Sequence, residues 1–364
     1  MRTKSHPQPL SREPQRRLAL RGLGAGLLAP WLPACGGGGA PTPAPVSAPS
    51  TLGLDQAASQ IAALPHLHAL LVRQRGVLRV SHYANGQNAD SLQDSRSVAK
   101  SVCGLLVAMA IERGPLRLED RLDAWLPPRW AGLPSPTVGS VTVRDLLTMS
   151  SGLGGLESEF VQWVQWPDEI GPLLQRAPLS APGEVWSYST PNLQLLSVMF
   201  QQATGLSLYD YAKQQLFAPL GIEAHNWVGM DSGYTLAGSL LFLRAQDFLK
   251  IGELMLAGGS LGGRRLIGGD WVRALSTQHH ATPLNGGNDA AFGLGGYGYL
   301  WWRLRIGRFE GYAAAGYAGQ YILVLPALEA VVAVNMKSTV QQVVAVPQNQ
   351  ALTALLVPLV EALA

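Results

Sequence analysis

The stretch Ser97–Arg113 reads SVAKSVCGLLVAMAIER and is apolar almost throughout, until the chain reaches Gly114-Pro115. An uninterrupted apolar run that stops at glycine and proline predicts a helix. Lys100 is a charged residue within this run, and it lies three positions after Ser97. Because residues three apart share one face of a helix, the amine of Lys100 and the hydroxyl of Ser97 can meet.

This serine and lysine are a candidate nucleophile and base. A serine hydroxyl is a weak nucleophile unless a neighbouring group takes its proton. A lysine can do so when burial lowers its pKa, whereas an arginine cannot. The chain has five lysines against 22 arginines, and among these lysines only Lys100 follows a serine by three positions. Ser97, near the helix start, would also direct its backbone N–H at a developing oxyanion. In the alternative interpretation, Ser97 only caps the helix and Lys100 extends to solvent.

Strand patterns lie at both ends of the chain, around a mostly helical middle. Near the beginning, a helical stretch over 51–65 precedes a hairpin whose strands, HALLVRQ and VLRVSHYA, meet at Arg75-Gly76. The later predicted strands are Tyr297–Ile306, Phe309–Ala315, Tyr321–Leu325 and Val331–Asn335, and a final helix covers Pro347–Leu363. The helices predicted between the two ends include Thr142–Ser150, Pro191–Ala203, Ser207–Leu216 and Ala245–Leu256.

This order predicts an α+β fold in which an antiparallel sheet is built from both termini, flanked by helices and interrupted by an inserted, mostly helical domain. The folded domain would span residues 51–364. Residues 51–96 and 291–364 would form its α/β lobe, and residues 97–290 its mostly helical lobe. A site between the two lobes is expected.

The beginning of the chain predicts export. Residues 1–34 join a basic segment, with Arg16-Arg17, to the short apolar run Leu23–Leu32, which is typical of a signal peptide. The arginine pair partly resembles a twin-arginine export signal. A small residue followed by Cys35 after this apolar run resembles a bacterial lipoprotein signal, which implies that Cys35 is lipidated, with cleavage by an ordinary signal peptidase as the alternative. Residues 35–50, rich in Gly, Pro and Ala, would be a tether on the periplasmic side of the cell envelope.

Composition excludes several kinds of partner. The chain has 27 basic and 24 acidic residues, of which six and one lie in residues 1–34, so 21 and 23 remain. A near-neutral body gives no reason to expect nucleic acid. With Cys35 used for lipid, Cys103 has no partner for a disulfide, and the sequence contains neither a CxxC nor an HExxH motif. No metal or other cofactor is therefore predicted, and membrane contact is expected only through the lipid anchor.

Arg96-Ser97-Val98-Ala99-Lys100-Ser101 resembles the nucleophile motif of the serine β-lactamase and penicillin-binding-protein superfamily. It is similar in particular to the class C-like branch of esterases, D-peptidases and aminohexanoate-oligomer hydrolases. The resemblance covers about residues 55–364. Its further landmarks, in family order, are Val141–Leu153 (VTVRDLLTMSSGL), Pro182–Asn192 (PGEVWSYSTPN), Leu216–Ile222 (LFAPLGI), Tyr297–Trp302 (YGYLWW) and Ala315–Gln320 (AGYAGQ).

The resemblance implies a role for two further residues. Tyr188 would share a proton network with Lys100 and Ser97, and a phenol beside a cationic lysine can have a lowered pKa. The alternative for Tyr188 is a loop tyrosine with a satisfied hydroxyl. The backbone N–H of Gln320, which follows the closing glycine Gly319, would be the second oxyanion donor beside that of Ser97.

The sequence departs from the β-lactamase pattern at two positions. Thr190 stands where the second motif has asparagine, and Asn192 follows two residues later. Tyr317 stands where the third motif has a cation that binds the substrate carboxylate. We therefore expect Thr190, Asn192, Tyr317 and Gly319 to contact a substrate that is a neutral ester or amide.

The sequence thus predicts a serine hydrolase that forms an acyl-enzyme on Ser97 with a small-molecule or peptide-like substrate. The alternatives are a β-lactamase or cell-wall D,D-carboxypeptidase, and, in another class, a non-catalytic surface binding or sensor protein with this fold.

A competing nucleophile is Ser260 in Gly258-Gly259-Ser260-Leu261-Gly262, which matches G-x-S-x-G. That motif needs a strand before it and a helix after it, whereas here a helical stretch precedes it.

Overall fold

The computed structural model describes residues 52–154, 157–285 and 291–364. The predicted signal peptide, Cys35 and the tether lie outside these residues. An eight-stranded antiparallel sheet, in the order β2-β1-β13-β12-β11-β10-β9-β8, joins two strands from the beginning of the chain to six from its end. The predicted α+β fold, with a sheet built from both termini, is therefore confirmed.

The strands of this sheet are β1 Leu67–Gln74, β2 Val77–Tyr83, β8 His280–Asn285, β9 Phe292–Tyr297, β10 Trp302–Ile306, β11 Phe309–Gly316, β12 Gln320–Leu325 and β13 Ala330–Met336. A three-stranded sheet contains β3 Leu92–Asp94, β5 Leu241–Arg244 and β4 His225–Trp227, in that order. A two-stranded hairpin contains β6 Ser260–Leu261 and β7 Arg264–Arg265.

The longer helices are α1 Leu54–Ala62, α2 Val98–Glu112, α7 Thr190–Thr204, α9 Ala245–Leu256, α10 Gly269–Ser276 and α11 Gln342–Glu361. Shorter ones are α3 Pro136–Gly139, α4 Val143–Leu147, α5 Phe160–Trp163, α6 Gly171–Leu174 and α8 Leu208–Ala212, which continues as a π-helical turn over Lys213–Phe217.

The sheet is buried on both faces. Every residue of β12 and β13 is buried. Adjacent β12 residues face opposite helices, because Tyr321 bonds to Asn349 of α11 while Ile322 lies against Gly252 of α9. A side chain at Gly252 would overlap Val331, so glycine permits the close approach of α9. Burial on both faces explains why these strands read as continuous apolar runs.

Helix α2 lies in the centre of the molecule. Its first 13 residues, Val98–Ala110, are all buried, as expected for a helix that is apolar on every side. It packs against β11, α10 and α7. The helix that begins at Ser97 is therefore held rigidly between the sheet and the helical part of the chain.

One predicted strand is interrupted. The segment Tyr297–Ile306 forms the end of β9 and all of β10, with a turn between them in which Leu300 has φ +64°. The turn residues bond outside the sheet, since Tyr299 N–H donates to Leu275 O and Leu300 N–H donates to Leu147 O. These long-range bonds cannot be read from strand periodicity.

The last helix begins earlier than predicted, at Gln342, and contains Pro347 and Pro358. Pro347 lacks the N–H that would bond to Val343, but Val343 is 75% exposed, so water can satisfy its carbonyl. Among the described residues, α11 alone is long and apolar enough to cross a membrane. Its residues Leu352, Leu356 and Leu359 are fully buried inside the fold.

Candidate active site

Strand pairing brings two distant segments together at the start of α2. Because β3 and β5 are antiparallel, the residues after β3 and those before β5 lie at the same end of the small sheet. Ser95 N–H donates to Leu241 O there at 2.8 Å. Ser97 and Gly238, 141 positions apart in the sequence, are thereby placed on two sides of Lys100.

The turn before Ser97 is strained and is held in place by its contacts. Arg96 has φ +47°, which is rare for a residue with a side chain. Its backbone N–H donates to Asp94 Oδ1, and its guanidinium contacts Asp94 Oδ2 at 2.9 Å and donates to Ser338 O at 2.8 Å. These contacts stabilise a conformation that projects Ser97 from the start of the helix.

Ser97 and Lys100 meet as predicted from their spacing. Lys100 Nζ donates to Ser97 Oγ at 2.9 Å, and Ser97 makes no side-chain hydrogen bond that caps α2. Lys100 is 1% exposed. The alternative interpretation, with a capping serine and a lysine that extends to solvent, is therefore wrong.

Two further acceptors surround the amine of Lys100. Its Nζ lies 2.7 Å from Thr190 Oγ1 and 2.9 Å from the carbonyl oxygen of Gly238. Burial lowers the pKa of Lys100 to about 8, although the negative charge of Glu157 opposes this shift. An amine with this pKa has a substantial neutral fraction near neutral pH and can act as a base.

Tyr188 lies beside this pair. Its ring stacks on Trp302, with centroids 6.0 Å apart, and Lys100 Nζ lies 4.8 Å from the Tyr188 ring centroid. Burial, together with the negative charge of Glu157, raises the pKa of Tyr188 far above its ordinary value, although the side chain of Ser97 interacts with the Tyr188 hydroxyl and by itself would lower this pKa. The lowered pKa that we expected is therefore wrong, and Tyr188 keeps its proton at neutral pH.

Thr190 and Asn192, both expected to contact substrate, make other contacts. Thr190 is the first residue of α7, and its hydroxyl accepts from Lys100 and donates to Glu157 Oε1 at 2.8 Å. Asn192 is buried, and its amide donates to Ser151 Oγ and to Gly154 O. Thr190 thus belongs to the network of the base, and Asn192 holds the loop that follows α4.

The turn between β11 and β12 holds the other expected contacts. The Tyr317 hydroxyl donates to Val340 O at 3.0 Å, and its ring lies 6.0 Å from the Arg96 guanidinium. A side chain at Gly319 would meet Met336 and Leu352 in the core. The structure places Tyr317 over the turn before the nucleophile and Gly319 against the core; their contact with substrate stays a prediction.

Gly316 is a residue of this hairpin that lies against Ser97. A side chain at Gly316 would approach Ser97 N and Gln320 Cβ to 3.1 Å each, and Ser95 O to 2.7 Å. Gln320 pairs with Gly316 from the next strand, and its buried side-chain amide donates to Met336 O. The pairing of β10 with β11 ends at Ala313, three residues before Gly316.

Sequence analysis missed two residues of the site, Glu157 and Gly238. Between Asp145 and Asp168 the charged residues are Glu157 and Glu159, and nothing in this pattern sets Glu157 apart. Gly238 contributes a backbone carbonyl, which leaves no mark in a sequence. Gly316 lies in the segment Gly316–Gln320, which the resemblance to the family places opposite Ser97.

Two competing kinds of site gain no support. Ser260 lies on the two-residue strand β6, four positions after α9 ends at Leu256, and not on a turn from strand to helix. Within residues 52–154, 157–285 and 291–364, no group of three or more His, Cys, Asp or Glu side chains could hold a metal ion.

The chain matches a family model over most of its length and shows shorter matches to named proteins. The family model described as Beta-lactamase matches residues 68–355. Penicillin-binding protein 4* of Bacillus subtilis is 32% identical over 146 residues, which are 37% of this chain and 30% of that protein. The 6-aminohexanoate-dimer hydrolase of Paenarthrobacter ureafaciens is 23% identical over 64% of this chain and 63% of its own. Esterase EstB of Burkholderia gladioli is 32% identical over 39% of this chain and 40% of its own.

Solved structures share the fold. The octameric penicillin-binding protein homologue from Pyrococcus abyssi gives a TM-score of 0.61 at 19% identity, over 78% of this chain and 73% of that one. The hydrolase EstCE1, described as having promiscuous acyltransferase activity, gives a TM-score of 0.63 at 14% identity. The match covers 83% of this chain and 98% of that one. The chain spans about a third of Penicillin-binding protein 4* and less than two thirds of the 6-aminohexanoate-dimer hydrolase.

Proposed function

This chain belongs to the beta-lactamase family, and on that premise we propose that it hydrolyses an ester or amide through an acyl-enzyme on Ser97. The observation that carries the proposal is the environment of Lys100. This amine is buried, has a pKa of about 8 and lies 2.9 Å from the Ser97 hydroxyl. A buried lysine without a function would be costly, because desolvation disfavours its charge.

The proposed reaction has two steps. Ser97 Oγ attacks the carbonyl carbon while its proton passes to Lys100, and the resulting oxyanion is stabilised by backbone N–H groups. Collapse breaks the bond to the leaving group, which receives a proton from Tyr188. Tyr188 recovers a proton from the protonated Lys100. Water then attacks the acyl-enzyme ester, releases the acid and restores the Ser97 hydroxyl.

Ser97 N–H would be one oxyanion donor, as expected from its place at the helix start. For the second donor, the backbone around Gly316 is a candidate beside Gln320. Gly316 lies against Ser97 N, and Gln320 pairs with Gly316 from the next strand. The role of Gln320 stays a prediction, and a backbone donor at either position tolerates changes of side chain.

We propose a neutral substrate, rather than one that carries a carboxylate next to the scissile bond. The two cationic side chains that flank Ser97 in the sequence are already engaged. Arg96 bonds to Asp94 and Ser338, and Lys100 bonds within the site. Glu157 adds a negative charge close to Lys100. Neither Arg96 nor Lys100 is therefore free to bind a substrate carboxylate, and Glu157 would repel one.

Labelling with a fluorophosphonate tests the proposal. Mass spectrometry should find the adduct on Ser97, and Ser97→Ala should abolish both labelling and hydrolysis of a short-chain ester. Ser260→Ala, which removes the competing serine, is the matched control and should label normally. Adduct on Ser260, or unchanged hydrolysis by Ser97→Ala, would contradict the mechanism.

A substrate panel separates the other candidates. We expect a neutral ester to be hydrolysed faster than a cephalosporin or a D-Ala-D-Ala peptide. The reverse order would indicate the β-lactamase or D,D-carboxypeptidase function, for which the partial similarity to Penicillin-binding protein 4* is the specific support. No turnover and no labelling would indicate a binding or sensor protein.

We also propose that the protein is exported and anchored to the envelope through lipid on Cys35, because the apolar run Leu23–Leu32 and the tether have the required order. Radiolabelled palmitate should enter the wild type and not Cys35→Ser. Cys103→Ser changes the other cysteine of the chain and should leave labelling intact. Equal labelling of Cys35→Ser would exclude this anchor.

A further inference from the structure

The carboxylate of Glu157 accepts both hydrogen-bond donors of Thr190. Glu157 Oε2 accepts from the backbone N–H of Thr190 at 2.6 Å, and Oε1 accepts from its hydroxyl at 2.8 Å. Thr190 is the first residue of α7, whose N-terminal N–H groups have no partner within the helix. A carboxylate is favoured there by the helix dipole as well. Glu157 thus reaches the site from a separate short helical turn, Glu157–Glu159.

This contact fixes the direction of the hydrogen bond between Thr190 and Lys100. A hydroxyl has one proton, and Thr190 gives its proton to Glu157. Thr190 can therefore only accept from Lys100, at 2.7 Å. The carbonyl of Gly238, at 2.9 Å, can also only accept.

The same constraint fixes the orientation of the neutral amine. An uncharged lysine has two N–H groups and one lone pair. When Thr190 and Gly238 accept the two N–H groups, the lone pair is left for the third neighbour, Ser97, at 2.9 Å. That is the arrangement required to remove the proton of Ser97.

We propose that Glu157 is a positioning residue, which makes Thr190 an acceptor and thereby aims the lone pair of neutral Lys100 at Ser97. The inference rests on the proposed function, since it assigns Glu157 a part in activating the same nucleophile. Without the carboxylate, the Thr190 hydroxyl is free to rotate and donate to the lone pair of Lys100. Thr190 would then compete with Ser97 for the base.

The charge of Glu157 has a second, opposite effect. It favours the cationic form of Lys100 and so raises the pKa of this amine, against the larger effect of burial. Glu157 therefore shifts the working pH range upward while it orients the base. The two effects separate on the alkaline plateau of the rate, where Lys100 is fully neutral and only its orientation matters.

The substitution Glu157→Gln removes the charge and also changes the hydrogen bonds that orient Thr190, and the two effects can be measured separately. The glutamine amide presents one acceptor and one donor to the two donors of Thr190, so it cannot satisfy both. When the amide nitrogen faces Thr190 Oγ1, it donates there and turns the Thr190 proton toward Lys100. We expect the pH midpoint of kcat/KM to move to lower pH, and the plateau of kcat to fall about tenfold or more with little change in KM.

Glu159→Gln is the matched control, because Glu159 lies two residues away in the same turn and is exposed. Its plateau and midpoint should equal those of the wild type. Thr190→Ser keeps the hydroxyl and should retain most of the plateau rate, whereas Thr190→Val should lose it. A plateau of Glu157→Gln equal to the wild type would overturn the proposal.

A double-mutant cycle tests whether Glu157 acts through Thr190. In the Thr190→Val background no hydroxyl remains to orient, so Glu157→Gln should lower the plateau no further. Fully additive losses would show that Glu157 acts elsewhere and would overturn the proposal. Thermal unfolding of each variant identifies any loss that comes only from a destabilised fold.

A measurement without turnover keeps this inference separate from the proposed function. The chain has five lysines, so 13C labelling at Cε gives few signals, and Lys100→Met identifies that of Lys100. In a pH titration, Lys100 should titrate at lower pH in Glu157→Gln than in the wild type. Hydrolysis that is lost in Ser97→Ala, with both the alkaline plateau and the Lys100 titration unchanged in Glu157→Gln, would overturn the role of Glu157 alone. Absent hydrolysis with the expected titration would overturn the proposed function and leave the contact between Glu157 and the base.

Discussion

The amine of Lys100 lies 2.7 Å from Thr190 Oγ1, slightly closer than its 2.9 Å distance from Ser97 Oγ. The threonine that replaces the asparagine of the β-lactamase pattern is thus bonded to the base of the site. A hydroxyl can accept from lysine as an amide oxygen does, but it also has a proton that needs an acceptor. Glu157 is that acceptor, so Thr190 and Glu157 form one unit.

The pH dependence of hydrolysis should report Lys100. Because burial lowers its pKa to about 8, the cationic form predominates below that pH and cannot take a proton. For a neutral ester, kcat/KM should rise about tenfold per pH unit below pH 8 and level off above it. Initial rates from pH 6 to 10 measure this. A midpoint near 6.5 would point to a histidine instead.

Replacing Lys100 by arginine should abolish hydrolysis although the positive charge of the side chain is kept. In Lys100→Arg the guanidinium stays protonated throughout the accessible pH range, so we expect kcat to fall by about 10² to 10⁴. Lys250→Arg is a suitable control, since Lys250 pairs with Asp247 on α9 away from the site. Ester hydrolysis by Lys100→Arg at a tenth or more of the wild-type rate would exclude a lysine base.

Removing the hydroxyl of Tyr188 should affect poor leaving groups most. Tyr188 keeps its proton because burial raises its pKa, so it can donate to a leaving alkoxide or amine. Tyr188→Phe should lower kcat about 100-fold for an ethyl ester and much less for a p-nitrophenyl ester, whose leaving group needs no proton. Stacking on Trp302 should be retained.

The control for this variant is Tyr209→Phe, in which the lost hydroxyl bonds to His225 on β4. It should hydrolyse both esters normally. Equal losses for the two esters in Tyr188→Phe would argue against a role for Tyr188 as proton donor.

The methyl group added in Gly238→Ala should disturb the contact between Lys100 and Thr190. The added Cβ would lie 2.7 Å from Thr190 Cγ2 and 3.2 Å from Lys100 Nζ, inside normal contact distances. We expect a loss of about 1–3 kcal/mol in the free energy of unfolding, together with at least a tenfold lower kcat. Chemical denaturation and ester hydrolysis measure the two effects.

Gly53→Ala is the control for this substitution, because the space around Gly53 is open. It should leave ester hydrolysis unchanged. A fully active Gly238→Ala would show that the bonds of Lys100 to Thr190 and Gly238 can shift without loss.

Local patterns predicted those elements whose residues are close in the sequence. The hairpin of β1 and β2 and the buried strands β12 and β13 follow from apolar runs bounded by turn residues. The strand Tyr297–Ile306 was predicted without its interruption, because Leu300 bonds to Leu147 of a distant helix. The start of α11 was predicted five residues late, at Pro347, since proline is typical of the first turn of a helix.

The sequence alone determined the pairing of Ser97 with Lys100, because residues three apart on a helix face the same way whatever surrounds them. Only the tertiary structure decided the partners of that pair. Thr190, Glu157 and Gly238 come from three separate segments that surround the Lys100 amine, and Gly316 of β11 lies against Ser97. Lys100 is 90 positions from Thr190 and 138 from Gly238 in the sequence, so such contacts depend on long-range packing. Local periodicity has no information about them, which is why it gave no indication that Glu157 belongs to the site.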